Sequence, residues 1–511
     1  MYKQSFYNLL ETDDKGRTIL FNTKSGGVVV PESKDTDKFL SVLNKPSSYD
    51  KDDLMKKQLI ESKYLIDDKS DELQELKEAH EKSIDNVKIN NLGFIIVPTE
   101  YCNFACPYCF VYDYDRPSMP DEVYDGMYNA IVKKIAECKE EENLLKRKAE
   151  KGNKSQDEID KIKVPTYVSI TWFGGEPTMK YKQIISFMDR LLELEKKNEG
   201  LRLDAGMITN GYLLNYEMLK QFVDRKINFF QITLDGDKET HDQTRYLRGS
   251  KGATFDIIYR NLLEIKNKAD KKLKFRISIR SNFMKVNIDS MKKLDKKFNS
   301  DFAGDDRFSN YFHQVYDSEK ELGSLNNDLY TEEEGISTAC RLNACNVHET
   351  LKKNPVDRMY EILPRPKSHP CFATANTYCV TVKGALFACE SMIGEDDKAV
   401  GIINRDGSID FNEENFRKWK GSTFADKDTY KNCFECKLMP VCVGGCRYNK
   451  LLNIMEGCIS TEEVIREKMQ FYLDEYLNKA NEGIEKCYKY MVLKRKKRMG
   501  IAILQDVRIA M

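Results

Sequence analysis

From about residue 89 to 318, short apolar stretches alternate with longer stretches of helical period. The apolar runs predict strands over 92–98, 167–172, 205–208, 229–234, 275–279 and 311–316, with helices such as 181–196 and 255–266 between them. Strand and helix in strict alternation imply a parallel sheet with helices outside, open or closed into a barrel. Function in such folds gathers at the C-terminal ends of the strands. Ahead of this block, 6–10 and 18–21 flank a hairpin signal at 13–16, and 27–30 reads as a third strand. Helical patterns follow over 35–43, 51–62 and 71–84, so residues 1–88 read as a small unit of their own. Residues 137–163 are dense in charge and read as a helix extension or solvated loop. The 319–370 stretch carries no period and reads as a bridge, and 461–511 as a helical tail. Within that tail, the basic run at 494–498 reads as a solvated helix end.

The chain has 511 residues, too many for one ordinary core, and 41% are hydrophobic. Lys+Arg and Asp+Glu both number 82, a balance that argues against a protein held to nucleic acid by bulk charge. No apolar run approaches the about 20 residues of a membrane helix, and no signal peptide is evident, so a cytoplasmic, membrane-free protein is expected. The 15 cysteines of such a chain are not a disulfide framework. They gather at 102–109 and 371–458, whereas scattered Cys138 and Cys487 fit buried, inert thiols.

Cys102, Cys106 and Cys109 follow the first predicted barrel strand, and thiolates at this spacing select iron–sulfur clusters or zinc. Gly174-Gly175-Glu176-Pro177 comes straight after the second strand. Glycines there let the backbone approach a ligand closely, and a carboxylate suits an ammonium group. Together these motifs resemble the radical S-adenosylmethionine enzymes. The resemblance implies a [4Fe–4S] cluster on the three cysteines, whose fourth iron chelates the cofactor's amino acid end. It also implies that the GGEP segment holds the cofactor's amino group. Thr209-Asn210 after the third strand and Thr233 and Asp235 after the fourth match the same family. Thr233 and Asp235 face the ribose or a substrate, or cap turns. Arg280 and Asn282 end the fifth strand, and Arg280 pairs either with the cofactor carboxylate or with a structural acid. Tyr108 resembles the family's aromatic residue beside adenine, or packs the loop.

Farther on, Cys433, Cys436, Cys442 and Cys446 are separated by two, five and three residues, with Cys371 and Cys389 before them and Cys458 after. Two zinc sites are one account of such a field. The spacing also resembles the SPASM extension of radical enzymes. By that resemblance Cys433, Cys436, Cys442 and Cys458 hold one auxiliary [4Fe–4S] cluster, and Cys371, Cys389 and Cys446 hold another that is one ligand short. Cys345, Cys340 or Cys379 supplies the fourth, or an iron stays open for a substrate thiolate. Glu390, beside Cys389, is a candidate proton acceptor or a surface residue.

The expected fold class is therefore α/β. Residues 89–318 form a partial (β/α)6 radical SAM barrel and 371–460 a C-terminal SPASM iron–sulfur domain. Residues 1–88 resemble a winged-helix leader-peptide recognition element, which binds an extended peptide at a sheet edge, or serve as a plain brace. The implied activity is oxidation of a precursor peptide carrying a leader, with flavodoxin or ferredoxin as reductant. A cysteine thioether is the expected product, with carbon–carbon or carbon–oxygen crosslinking as other outcomes. A sulfatase maturase making formylglycine is the nearest rival, and an electron carrier or zinc scaffold a more distant one.

Overall fold

The computed structural model describes residues 1–109, 111, 118–315, 328–331, 334–335, 338–339, 342, 363–371, 373, 375–452, 458 and 460–480. Position 316, Cys340, Cys345, Cys487, most of 319–370 and the 494–498 run lie outside the described residues.

The chain opens with β1 (Tyr2–Gln4), followed by a meander of β2 (Asn8–Thr12), β3 (Thr18–Asn22) and β4 (Gly27–Val29). Helices Thr36–Asn44 and Leu54–Glu61 cover one face of the meander, burying Leu20, Phe39, Val42, Leu43 and Leu59 together. β5 (Leu65–Asp67) then pairs antiparallel with β1, a pairing too short to show in the sequence. The other face buries Leu9, Ile19 and Phe21 against Leu438, Val441 and the Ile465, Met469 and Leu473 face of helix Glu462–Ala480. Side chains from the same region cap the outer edge of β2. Lys437 Nζ donates to Asn8 O at 3.1 Å and Arg466 Nη1 to Leu10 O at 2.8 Å. The expected boundary after residue 88 falls inside helix Glu72–Asn90, which leads directly into the next strand.

That strand is β6 (Asn91–Ile96), and β7 (Thr166–Trp172), β8 (Leu201–Thr209), β9 (Ile227–Thr233), β10 (Arg276–Phe283) and β11 (Phe308–Gln314) lie beside it in chain order, all parallel. Period-two alternation decides which side chains meet the helices. In β7, Val168, Ile170 and Trp172 are buried while Tyr167, Ser169 and Thr171 occupy the inner face, and in β10 Ile277 and Ile279 alternate with Ser278 and Arg280. The helices answer with apolar stripes: Ile184, Phe187, Met188 and Leu191 in Tyr181–Lys197, and Ile258, Leu262 and Ile265 in Phe255–Lys268. The charged 137–163 stretch takes the helical form, as the distal part of a 31-residue helix, Asp121–Lys151, and a short helix capped by Ser155 and Glu158.

The sheet does not stop at β6. β12 (Thr377–Val380) pairs parallel with it, and β13 (Ala385–Phe387), β14 (Gly401–Ile403) and β15 (Ile409–Phe411) extend the sheet antiparallel, making ten strands in one mixed sheet. The C-terminal cysteine region is thus a continuation of the barrel sheet. Strands of three or four residues are too short for a period to reveal them.

Candidate active site

The loop leaving β6 carries Cys102, Cys106 and Cys109, and its base is fastened to the second βα turn. Gly175 N donates to Thr99 O at 3.0 Å and Glu176 N to Tyr101 O at 3.1 Å. A Cβ on Gly175 would stand 2.3 Å from Tyr101 O, and one on Gly174 (φ +110°) 2.7 Å from Thr99 O. The two glycines therefore admit the cysteine loop's own backbone. The loop's far side is pinned by Arg248, whose Nε and Nη2 donate to Cys102 O and Phe104 O, both at 2.8 Å. A bridge between Phe104 and Leu247 completes the hold.

Burial pushes the Cys102 thiol up to about 12, with the Glu176 charge adding to it, and burial lifts Cys106 to about 11. Each thiol also acts on its neighbours: Cys106 and Cys109 on Cys102, and Cys109 on Cys106. Among the described residues no three Cys, His, Asp or Glu side chains are drawn together as a metal-binding group. The donor set of three half-buried thiols on one loop, none in a disulfide, nevertheless fits soft-metal or iron–sulfur ligation.

Glu176 is wholly buried and locks the motifs together. Its Oε1 accepts Thr178 N at 3.0 Å and Thr209 Oγ1 at 2.6 Å, and Oε2 accepts Asn210 N at 2.7 Å. Burial raises its pKa against these donors. Oε2 carries one donor, leaving capacity for an ammonium hydrogen. Asn210 Nδ2 reaches Asn103 Oδ1 at 2.7 Å, so the third strand end also grips the cysteine loop. Pro177 starts the short helical turn that leads into Tyr181–Lys197.

Tyr108 and Asp235 join a buried network that the sequence did not reveal. Tyr108 Oη donates to Asp235 Oδ2 and accepts Arg245 Nη1 at 2.9 Å, while Asp235 Oδ1 accepts Asn282 N at 3.0 Å. Arg245 is 8% exposed, and its Nε has no hydrogen-bond partner among the described residues. Burial raises Asp235, opposed first by Arg245. Asp235 thus ties β9, β10 and the cysteine loop together, and Tyr108 is a strut within that tie.

His241 underlies this network. Its Nδ1 accepts Asp235 N at 3.1 Å, so the ring proton sits on Nε2, which lies 3.1 Å from Thr254 Oγ1. Burial first, and then the Arg245 charge, hold its pKa well below the usual imidazole value. The folded state refuses a proton that the unfolded chain accepts, so stability is full above about pH 6.5 and is lost as pH falls below it. The expected loss is about 1.4 kcal/mol per pH unit in that range. Urea midpoints at pH 7 and pH 5 read the slope, and His241→Gln is expected to flatten it; an unchanged slope contradicts the assignment.

On the inner face, Arg280 and Asn282 lie within β10, which runs four residues beyond the expected strand end at 279. Arg280 Nε donates to Asn282 Oδ1 at 2.9 Å and its Nη2 lies 3.1 Å from His313 Nδ1. The Arg280 charge also bears on two buried acids, Asp235 and Glu390. Thr233 ends β9, and Tyr311 Oη donates to Gln231 Oε1 at 2.8 Å beside it. Glu390 arrives from the C-terminal region. Burial raises its pKa and Arg280 opposes the rise, which sets Glu390 within electrostatic reach of the barrel's inner face.

In the second cysteine field, burial raises Cys371 to about 11, and Cys446 and Glu390 act on it in turn. Burial also raises Cys389, with Glu390 and Cys371 adding to the shift. Cys433 acts likewise on Cys436. Cys442 and Cys458 are half-buried and outside any disulfide. Cys379 is fully buried on β12, and the groups that act on it are Glu390 and Glu100. Lys420, Tyr430, Arg447 and Lys450, which pack around these cysteines, had no sequence signature: buried cations do not stand out among 82 basic residues.

The radical SAM superfamily model matches residues 96–279, which span the cysteine loop, the GGEP turn and β10 as far as Ile279. This chain carries a radical SAM domain. The chain is an enzyme, and this domain implies S-adenosylmethionine and a [4Fe–4S] cluster as cofactors. The radical SAM cyclopropyl synthase TigE of Paramaledivibacter caminithermalis is 21% identical over 446 residues, 82% of this chain and 84% of that protein. The cysteine-type anaerobic sulfatase-maturating enzyme of Clostridium novyi is 23% identical over 414 residues, 76% of this chain and 96% of that protein. The structure of native anSMEcpe with bound AdoMet and Cp18Cys peptide superposes with a TM-score of 0.52 at 21% identity, covering 77% of this chain and 99% of that chain. The likeness establishes the α/β radical SAM fold with its mixed sheet. No helix among the described residues is long and apolar enough to cross a membrane.

Proposed function

We propose that this radical SAM enzyme is a SPASM-type maturase that crosslinks a ribosomally made precursor peptide. Cys102, Cys106 and Cys109 would hold the cluster that supplies the 5′-deoxyadenosyl radical. Glu176 Oε2 and the Arg280 guanidinium would take the ammonium and carboxylate of the methionine moiety. Asn210, Asp235 and Tyr108 would keep the cluster loop in place. The observation that supports the peptide reading is the pairing of β12 with β6, which joins the cysteine-bearing C-terminal region to the barrel sheet. Glu390, neighbouring Cys371 and Cys389, would accept the proton released as the substrate carbon is oxidised. The Cys371, Cys389 and Cys446 set would be one ligand short and would leave room for a substrate thiolate, which favours a thioether.

The leader would add to β4. The outer edge of β2 is capped by Lys437 and Arg466, whereas β4 is the last strand of its sheet. A second reading, carbon–carbon ring closure, draws support from the breadth of the likeness to a cyclopropyl synthase.

Co-expression with a short cysteine-containing precursor from a neighbouring reading frame tests both. A thioether removes two hydrogens and one alkylatable thiol. Ring closure removes two hydrogens and leaves every thiol, and formylglycine formation removes sulfur. The same precursor is expected to slow hydrogen exchange at Gly27–Val29. Unmodified precursor and unprotected β4 amides together overturn the proposal.

A further inference from the structure

A ring and two cations that no motif marks lie beside Cys433 in the C-terminal region. Tyr430 is 1% exposed, and the charges of both Cys433 of one set and Cys371 of the other bear on it. Gly444 (φ +93°) backs the ring so closely that a Cβ there would be 2.7 Å away. Lys450 Nζ donates to Cys433 Sγ at 3.3 Å and lies 5.4 Å from the Tyr430 ring centre. The Arg447 guanidinium is 5.6 Å from the same centre. Arg447 is 4% exposed and is fixed by Lys418 O at 2.7 Å and Gly421 O at 3.0 Å. Neither cation is placed by chance packing of a surface side chain: one is buried and the other bonds to sulfur.

The geometry points to a tuning role for Lys450: seated on Tyr430 beside Arg447, it raises the reduction potential of the centre built on Cys433. The inference rests on the auxiliary-cluster reading given above. Reduction adds one electron and one negative charge to a thiolate-ligated centre and breaks no bond. A cation on a ligating sulfur therefore stabilises the reduced form more than the oxidised one, since charge and hydrogen bonds to sulfur set such potentials. The Cys433 sulfur and the ring fix the ammonium's position, and cation–π contact holds it against the protein when the stem is free to turn. Lys450 is a positioning residue for charge and touches no substrate.

The test uses the full chain, reconstituted without oxygen and titrated with reductant while EPR follows each centre. Lys450→Met is expected to weaken reduction of one auxiliary centre about tenfold, about 59 mV for one electron, with the other centres unmoved. Lys450→Arg is expected to restore the midpoint. Lys450→Gln, which keeps an N–H donor without charge, is expected to fall between. Unchanged midpoints in Lys450→Met at full iron content overturn the inference and leave the auxiliary reading intact. Loss of the centre in both Met and Gln variants overturns it in favour of a purely structural role. A wild-type protein holding about four irons in place of about twelve removes the auxiliary reading and the inference with it.

Discussion

Replacing Cys102, Cys106 and Cys109 together with alanine is expected to abolish formation of 5′-deoxyadenosine and to remove about four irons per chain. The three thiols sit on one loop and act on one another, and no other described cysteine is near them in the electrostatic network. The remaining cysteines therefore cannot substitute. Because the loop is held by Arg248, Asn210 and the GGEP backbone, the rest of the barrel is expected to fold, with a melting temperature close to that of the parent. Reductive cleavage assayed with dithionite and S-adenosylmethionine reads the effect. Cleavage that survives the triple substitution would show that the radical site lies elsewhere.

Gly175→Ala is expected to have nearly the same consequence through backbone alone. The added methyl would lie 2.3 Å from Tyr101 O and 2.6 Å from Glu100 O, and a carbonyl in a hydrogen-bonded turn cannot yield as a flexible side chain can. The loop must therefore move, and the three thiols move with it. Misplacing a reacting group by about 1 Å costs on the order of 10²-fold in rate, so deoxyadenosine formation is expected to fall at least that far. Gly200→Ala is the control, since a Cβ there meets nothing. Iron content separates the two ways Gly175→Ala can act. A first cluster lost altogether accounts for the rate directly, and one retained but slow indicates displacement. Parental cleavage with full iron would refute the close-packing account.

The two substitutions probe different kinds of legibility. The cysteines and the GGEP turn were readable because chemistry restricts residue type at fixed spacing, and the six barrel strands because burial on one face imposes a period. Even so, Gly174 and Gly175 were readable only as close-approach positions; that the approaching group is the protein's own loop required the structure. The fifth strand's true end was hidden because Arg280, Ser281 and Asn282 are polar, yet they continue in β conformation on a face that needs no apolar residues. β12 to β15 were missed because three- or four-residue strands take their conformation from the sheet edge they join. Arg245, His241, Tyr430 and Lys450 were invisible for another reason. Their significance comes from partners far away in sequence, as in the link from Tyr108 to Asp235, 127 residues apart.

The N-terminal meander also dictates an order of events during synthesis. Its inner apolar residues Leu9, Ile19 and Phe21 are covered by a helix whose first residue is Glu462, and Arg466 closes onto Glu11 across 455 residues. A nascent chain emerging from the ribosome must keep that surface unsatisfied until nearly everything else has been translated. Contacts so distant in sequence close slowly and leave apolar surface open to aggregation meanwhile. Chaperone dependence of the newborn polypeptide follows, and stop codons placed before residue 462 should yield insoluble product even with the barrel complete.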